Sequence, residues 1–205
     1  MTFIFDVGGV LTNNLPLFTL IPQALNISKD QWEYFLGPKW EDGIKNSTNP
    51  FKTNLYLELT KGKITTKEFW KLFEERSHIK TQDDLWKRFF DPVKNIEVYR
   101  IIEKLKKKSR VIGGTNTISD HYDIHMQKDD YDIFDKTYAS QILGEAKPFL
   151  SFWKKILNEE NIDAKDAFFI DDRQTNIKAA ASLGLHVHHF TDAQKLMMTL
   201  RDFFQ

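Results

Sequence analysis

Phe3-Ile4-Phe5-Asp6-Val7-Gly8-Gly9-Val10-Leu11 begins as an apolar run and breaks at an acid followed by two glycines. The run over residues 2–5 is too short for a helix, and its unbroken apolarity fits a strand buried on both faces. Such strands belong to parallel sheets, in which ligands gather beyond the carboxyl ends. Asp6 therefore stands where chemistry is expected. Further short β-favouring runs occur at residues 110–112, 137–139, 167–170 and 186–190. Helix-period segments lie at 96–107, 119–128, 149–158, 175–183 and 193–203. Gly184 stands as a helix stop, and Pro148 opens the segment at 149. Alternation of this kind predicts an α/β fold, Rossmann-like, with a parallel five-stranded sheet and helical crossovers.

Residues 13–91 break the alternation, with several helix-like stretches and no convincing strand. Ser28-Lys29-Asp30-Gln31 and Thr65-Thr66-Lys67-Glu68 have the form of capping boxes, and Gly37-Pro38, Gly43, residues 46–50 and Lys61-Gly62 supply turns. The expected organisation is a core of residues 1–13 and 92–205 with an inserted helical cap at 14–91, able to close over the strand ends. At 205 residues the chain can bury a full core. Lys+Arg and Asp+Glu both total 29 and are interspersed, so neither a nucleic-acid partner nor a membrane surface is expected. The absence of cysteine excludes disulfides and thiolate chemistry and fits a cytoplasmic location. The N-terminal run is too short for a secretion signal, so the mature chain is expected to begin at Met1. A monomer is the default, with a homodimer as the alternative.

The residues directly after the expected strands are Asp6-Val7-Gly8-Gly9, Gly113-Gly114-Thr115-Asn116, the segment leading through Ser140 and Gly144 to Lys147, and Asp171-Asp172. Carboxylates, a hydroxyl and an ammonium converging on one sheet edge suit phosphoryl transfer. A carboxylate attacks phosphorus only when the surrounding negative charge is neutralised by a hard divalent cation and fixed positive donors. In this reading Asp6 is nucleophile and metal ligand, Asp172 completes the charged metal shell, and Asp171 holds metal-bound water. Thr115 and Lys147 grip the phosphoryl oxygens, with Asn116 beside them as a further substrate contact. Gly8 and Gly9 let backbone N–H groups approach the phosphate, and the Gly8 carbonyl faces the metal.

Together with Gly144-Glu145-Ala146-Lys147-Pro148 and Phe168-Phe169-Ile170-Asp171-Asp172 with Asn176, these segments resemble the four ordered motifs of the haloacid dehalogenase superfamily. The resemblance covers most of residues 1–15 and 95–190. It implies a Rossmann-like core with a C1-type helical cap and Mg²⁺-dependent phosphatase or phosphotransferase activity on a small phosphorylated molecule. The Asp-x-Gly-Gly form is closest to the subgroup that contains sugar-phosphate phosphatases. Most phosphatases of the superfamily carry a second Asp two residues after the nucleophile as general acid and base, where this chain has Gly8. Metal binding through a backbone carbonyl survives that change, but the acid does not. The expected substrates are then esters whose leaving group departs easily, namely anomeric, acyl or aryl phosphates.

Three alternatives accompany this expectation. A hydrolytic dehalogenase also lacks the second Asp, but it needs an early cationic halide cradle, and the first arginine here is Arg76. A phosphonate C–P hydrolase needs a cap lysine, for which Lys39, Lys45 and Lys52 are available. A phosphate-binding regulatory protein would be favoured by Gly8 and by Gly113-Gly114, a pair that marks either a bulge or room for a substrate group. His186 and His188 alternate on an edge strand read as distant from the motifs, and His121 and His125 share one helix face without the Glu of a zinc-protease motif. Trp32, Trp40, Trp70, Phe35, Phe69 and Phe73 read mainly as packing, Glu41-Asp42-Gly43 as a turn, and Asn13 and Asn14 as hinge or substrate contacts.

Overall fold

The computed structural model describes residues 1–39, 48–81 and 83–204; Trp40, Glu41-Asp42-Gly43, Lys45 and the start of the 46–50 turn lie outside them. At the centre of an all-parallel sheet runs β1 (Thr2–Phe5), flanked by β2 (Arg110–Thr115) and β4 (Ala167–Asp171). β3 (Lys136–Ala139) pairs with β2 and β5 (His186–His189) with β4, giving the order β3-β2-β1-β4-β5. Between β1 and β2 come α1 (Leu17–Ala24), α2 (Lys29–Leu36), α3 (Leu55–Thr60), α4 (Thr66–Ser77), α5 (Leu85–Arg88) and α6 (Ile96–Leu105). α7 (Ser119–Gln127) follows β2, and α8 (Ser140–Leu143) and α9 (Leu150–Glu160) follow β3. α10 (Gln174–Ser182) joins β4 to β5, and α11 (Ala193–Thr199) follows β5.

The strand period of two sorts the core into layers. Phe3, Phe5, Phe168 and Ile170 face α6 and α11 through Val98, Ile101, Ile102, Leu105 and Leu196. Ile4, Ile112 and Phe169 face α9 and α10 through Phe152, Trp153, Ile156, Ile177 and Ala180. All four residues of β1 are buried, as a strand covered on both faces requires.

A third apolar cluster lies apart from the sheet, made of Ile21, Trp32, Leu55, Phe69, Phe73 and Trp86 with their neighbours. Its helices start where capping chemistry dictates: Ser28 and Thr65 complete capping boxes with Gln31 and Glu68, and Asn54 accepts from the Leu57 N–H. Polar contacts tie this cluster to the strand ends. The Ser140 hydroxyl donates to the Thr60 carbonyl at 2.7 Å, Lys61 pairs with Glu145 at 3.0 Å, and Thr66 donates to Asp120. His121 lies flat on Phe90, with ring centroids 3.7 Å apart. The two connections run side by side, Asn13 N–H donating to Val93 O and Asn95 N–H to Leu11 O.

Gly113 and Gly114 are neither a bulge nor an opening. Both sit in regular parallel register, with Gly113 opposite Phe5 on β1 and Gly114 opposite Tyr138 on β3. A Cβ on Gly113 would lie 2.9 Å from the Phe134 ring, and one on Gly114 would lie 2.9 Å from Ile4 Cγ2. The pair is there because large side chains fill the space above and below it. Gly113→Ala and Gly114→Ala are each expected to destabilise the protein by about 1–3 kcal/mol. That loss reads as a drop of several degrees in Tm by calorimetry, whereas Gly8→Ala, whose Cβ would meet nothing within 4 Å, leaves Tm nearly unchanged.

Candidate active site

Lys147 is 1 % exposed, yet its ammonium is fully engaged. Its Nζ donates to Asp171 Oδ2 at 2.7 Å and lies 2.8 Å from Asp6 Oδ1, so one cation joins the ends of β1 and β4. Asn116 fixes the lysine from below: its Nδ2 donates to the Lys147 carbonyl at 2.8 Å, and its Oδ1 accepts from the Lys147 N–H at 2.8 Å. Both ends of this amide are thereby committed to the Lys147 backbone. Thr115 is buried at the end of β2, its hydroxyl making only a long 3.5 Å contact with the Asn116 carbonyl.

Asp171 accepts from both sides. Asn176 Nδ2 reaches each of its oxygens at 2.9 Å, and the Arg173 N–H donates to Oδ1 at 2.8 Å. Asp172 is half-buried, within 3.5 Å of Asn14 Nδ2. Asp6, Asp171 and Asp172 each present an oxygen within 4.8 Å of the others. Gly9 adopts φ +82°, and a Cβ there would lie 2.3 Å from Asp172 Oδ2, so glycine is required by conformation and by space. Gly8 is different: a Cβ there would meet nothing within 4 Å, so no protein neighbour requires glycine at that position.

The Lys147 ammonium is held by the carboxylates of Asp6 and Asp171, with Asp172 alongside and the Arg173 guanidinium acting on Asp172. Burial, reinforced by the Asp171 charge, pushes the Asp6 carboxyl up to about 8 despite Lys147. Burial and Asp171 raise Asp172 as well. Burial alone would lower Lys147, but the Asp171 and Asp6 carboxylates outweigh it and hold the ammonium above its usual range. Hard oxygen donors with uncompensated charge fit a divalent cation of the Mg²⁺ type.

The family model for haloacid dehalogenase-like hydrolases matches residues 1–184. The chain belongs to this family. The HAD family enzyme BT-2542 of Bacteroides thetaiotaomicron is 27 % identical, with a TM-score of 0.72 over 98 % of each chain. Its complex with magnesium and inorganic phosphate aligns over 95 % of this chain and 98 % of that one, at 27 % identity and a TM-score of 0.67. The sesquiterpene phosphatase astK of Aspergillus oryzae is 35 % identical over 72 residues, 35 % of this chain and 37 % of that protein. The drimenol cyclase drtB of Aspergillus calidoustus is 27 % identical over 169 residues, 71 % of this chain and 32 % of that protein. This hydrolase thus spans about a third of the length of the curated relatives it matches.

A cavity of about 620 Å³ opens from Gly8, Thr115 and Asn116 of the hydrolase toward the helices that precede α6. Its far wall includes Leu15, Leu17, Phe18, Leu36, Tyr56 and Phe90, none of which is marked by a motif. Helical periodicity places such residues on an apolar face without telling whether that face meets protein or a cavity. His121 and His125 also border it. His121 Nε2 donates to the Trp86 carbonyl at 3.0 Å, and burial depresses its pKa to about 4. His125 Nδ1 is 2.7 Å from Asp130. β5 is less remote than the sequence suggested, since His189 Nε2 donates to the Asp172 carbonyl at 2.9 Å. Arg76 spends its guanidinium on the carbonyls of Phe35, Leu36 and Thr53, which leaves no halide cradle there. Lys39 pairs with Glu33 at 3.0 Å at the cavity edge, and Lys45 lies outside the described residues. Among the described residues no helix is long and apolar enough to cross a membrane.

The electrostatics set a sign for pH. Asp6 protonates more readily in the folded than in the unfolded chain, so its contribution is present at low pH and is lost as pH rises toward about 8. His121 and His125, depressed by burial, act oppositely, but only below the ordinary histidine range near 6.5. Between pH 6.5 and 8 the metal-free hydrolase should therefore lose about 1 kcal/mol of stability in urea titrations. Millimolar Mg²⁺ should reverse that loss, raising Tm more at pH 8 than at pH 6.5.

Proposed function

We propose that this hydrolase is a Mg²⁺-dependent phosphatase of small phosphorylated metabolites, working through an aspartyl-phosphate on Asp6. The observation that carries the reading is the Lys147 bridge between Asp6 and Asp171 at 2.8 and 2.7 Å, with Asp172 alongside. A pocket that merely bound phosphate would have no use for a buried nucleophilic carboxylate at its floor. The magnesium and phosphate named with BT-2542 and the phosphatase activity named for astK support the same assignment. In this reading residues 1–13 and 92–205 form the catalytic core, and 14–91 form the cap over it.

Asp6, Asp171, Asp172 and the Gly8 carbonyl would hold Mg²⁺, which when bound neutralises charge on phosphate and nucleophile. An Asp6 carboxylate oxygen forms a bond to phosphorus while the ester P–O bond breaks and its electron pair leaves with the alcohol oxygen. Lys147 and Thr115 stabilise the phosphoryl oxygens throughout, and the N–H groups of Gly8, Gly9 and Asn116 extend that cradle. Water then attacks phosphorus, releasing phosphate and restoring Asp6. Asn116 acts chiefly by holding Lys147 in place, and Asn176 by holding Asp171. Because Gly8 offers no acid, the departing oxygen takes its proton from solvent, which favours aryl, acyl or anomeric leaving groups.

Assayed with Mg²⁺ on p-nitrophenyl phosphate, whose leaving group needs no acid, the wild-type protein should release phosphate. Asp6→Asn and chelation should each reduce that rate at least a thousandfold; turnover surviving in Asp6→Asn would sink the covalent route. Gly8 also permits a gain-of-function experiment, because the space beside it is open. Gly8→Asp should raise kcat on a simple alkyl phosphate by about 10²-fold while changing the aryl ester far less, since only the former lacks a proton donor.

A further inference from the structure

The cavity above Asp6 has many polar residues in its wall, and several of them spend their hydrogen-bonding groups on the protein itself. Both ends of the Asn54 amide are used, Oδ1 by the Leu57 N–H at 2.9 Å and Nδ2 by the Pro38 carbonyl at 3.0 Å. Both ends of Asn116 are bound to Lys147. Asn13 Oδ1 accepts from Val93 at 2.7 Å, and Glu33 faces Lys39 at 3.0 Å and Lys29 at 3.7 Å. His121 and His125 each give a ring nitrogen to the protein itself, to Trp86 and Asp130.

In the apolar lining Phe90 is stacked on His121 and Tyr56 on Trp86, while Phe18 keeps more exposed surface. Phe18 is 36 % exposed although it packs edge-on against Tyr56 at 4.8 Å and near Trp32 and Trp86. Phe18, Tyr56, Phe90 and Leu36 all border the same cavity as Gly8 and Thr115. A sugar ring placed against Phe18 and Phe90 would bury hydroxyls on an aromatic wall, which carries a desolvation cost with no hydrogen bond in return. A hydrocarbon ring would instead cover Phe18 and gain contact with an aromatic wall.

Building on the phosphatase reading, we infer that the substrate is a phosphate monoester of an apolar, ring-bearing alcohol or phenol, with Phe18, Tyr56 and Phe90 receiving its hydrocarbon part. The sugar phosphates suggested by the subgroup resemblance fit this wall poorly. The missing acid at Gly8 agrees with the assignment, because phenolic oxygens leave without one.

The test separates ring recognition from leaving-group effects by comparing two primary alkyl esters, 2-naphthylmethyl phosphate and glucose 6-phosphate. Steady-state kinetics on the wild-type protein with Mg²⁺ are combined with calorimetric binding of both esters to Asp6→Asn. At least a tenfold preference for the naphthylmethyl ester is expected in kcat/KM and in Kd, with Phe18→Ser raising its KM about fivefold and Phe18→Leu falling between. Equal or better handling of glucose 6-phosphate overturns the inference while leaving the phosphatase intact. Tight binding of the naphthylmethyl ester with no phosphate released from any ester supports the apolar cavity and removes the phosphatase reading. Phe18→Ser with wild-type folding and unchanged KM also overturns the assignment of that wall.

Discussion

The ammonium of Lys147, buried between Asp6 and Asp171, is the interaction on which the site depends. An ion with so little access to water is tolerable only if charge and hydrogen bonds replace its hydration shell, and here two carboxylates do so. The carboxylates in turn lie at the ends of neighbouring parallel strands, so sheet register sets their separation. Asn116 and Asn176 complete the arrangement by fixing the lysine backbone and the Asp171 oxygens. The result is rigid and still short of positive charge, which is the electrostatic condition for a hard divalent cation.

Glycine serves different ends around this pair. Gly9 is forced, by a left-handed backbone and by Asp172 packed against its Cα. Gly113 and Gly114 are forced by Phe134 and Ile4, deep in the sheet and away from any ligand. Gly8 is forced by neither, which makes the absence of an acid there a chemical feature of the site and not a steric necessity.

The helices that precede α6 contribute a third apolar cluster and, on the side turned toward the strand ends, a partly aromatic cavity wall. Their attachment is polar and specific, through Ser140 to Thr60, Lys61 to Glu145 and His121 to Trp86. Such contacts hold the wall over Asp6 without merging the two cores. Of the groups making these contacts, His121 also borders the cavity.

Asp6, Thr115, Asp171 and Asp172 were legible because each stands at the end of a short apolar strand, with Lys147 one short helix beyond β3, and a parallel sheet brings strand ends to one edge. The alternation of strands and helices, the capping boxes at Ser28 and Thr65, and the stop at Gly184 were legible for the same reason: they are rules of local spacing and backbone chemistry. Nothing local distinguishes Phe18, Tyr56 and Phe90 from the buried Trp32 and Phe69, or tells that both ends of Asn116 are bound to Lys147. Nor does sequence say that Gly113-Gly114 makes room for Phe134 and Ile4 while Gly8 makes room for nothing. These are facts about which surfaces meet across the chain. The sequence by itself determined the sheet and the charges at its edge through periodicity and strand-end position; tertiary packing alone decided which polar groups were already paired and which aromatic side chains came to border the cavity.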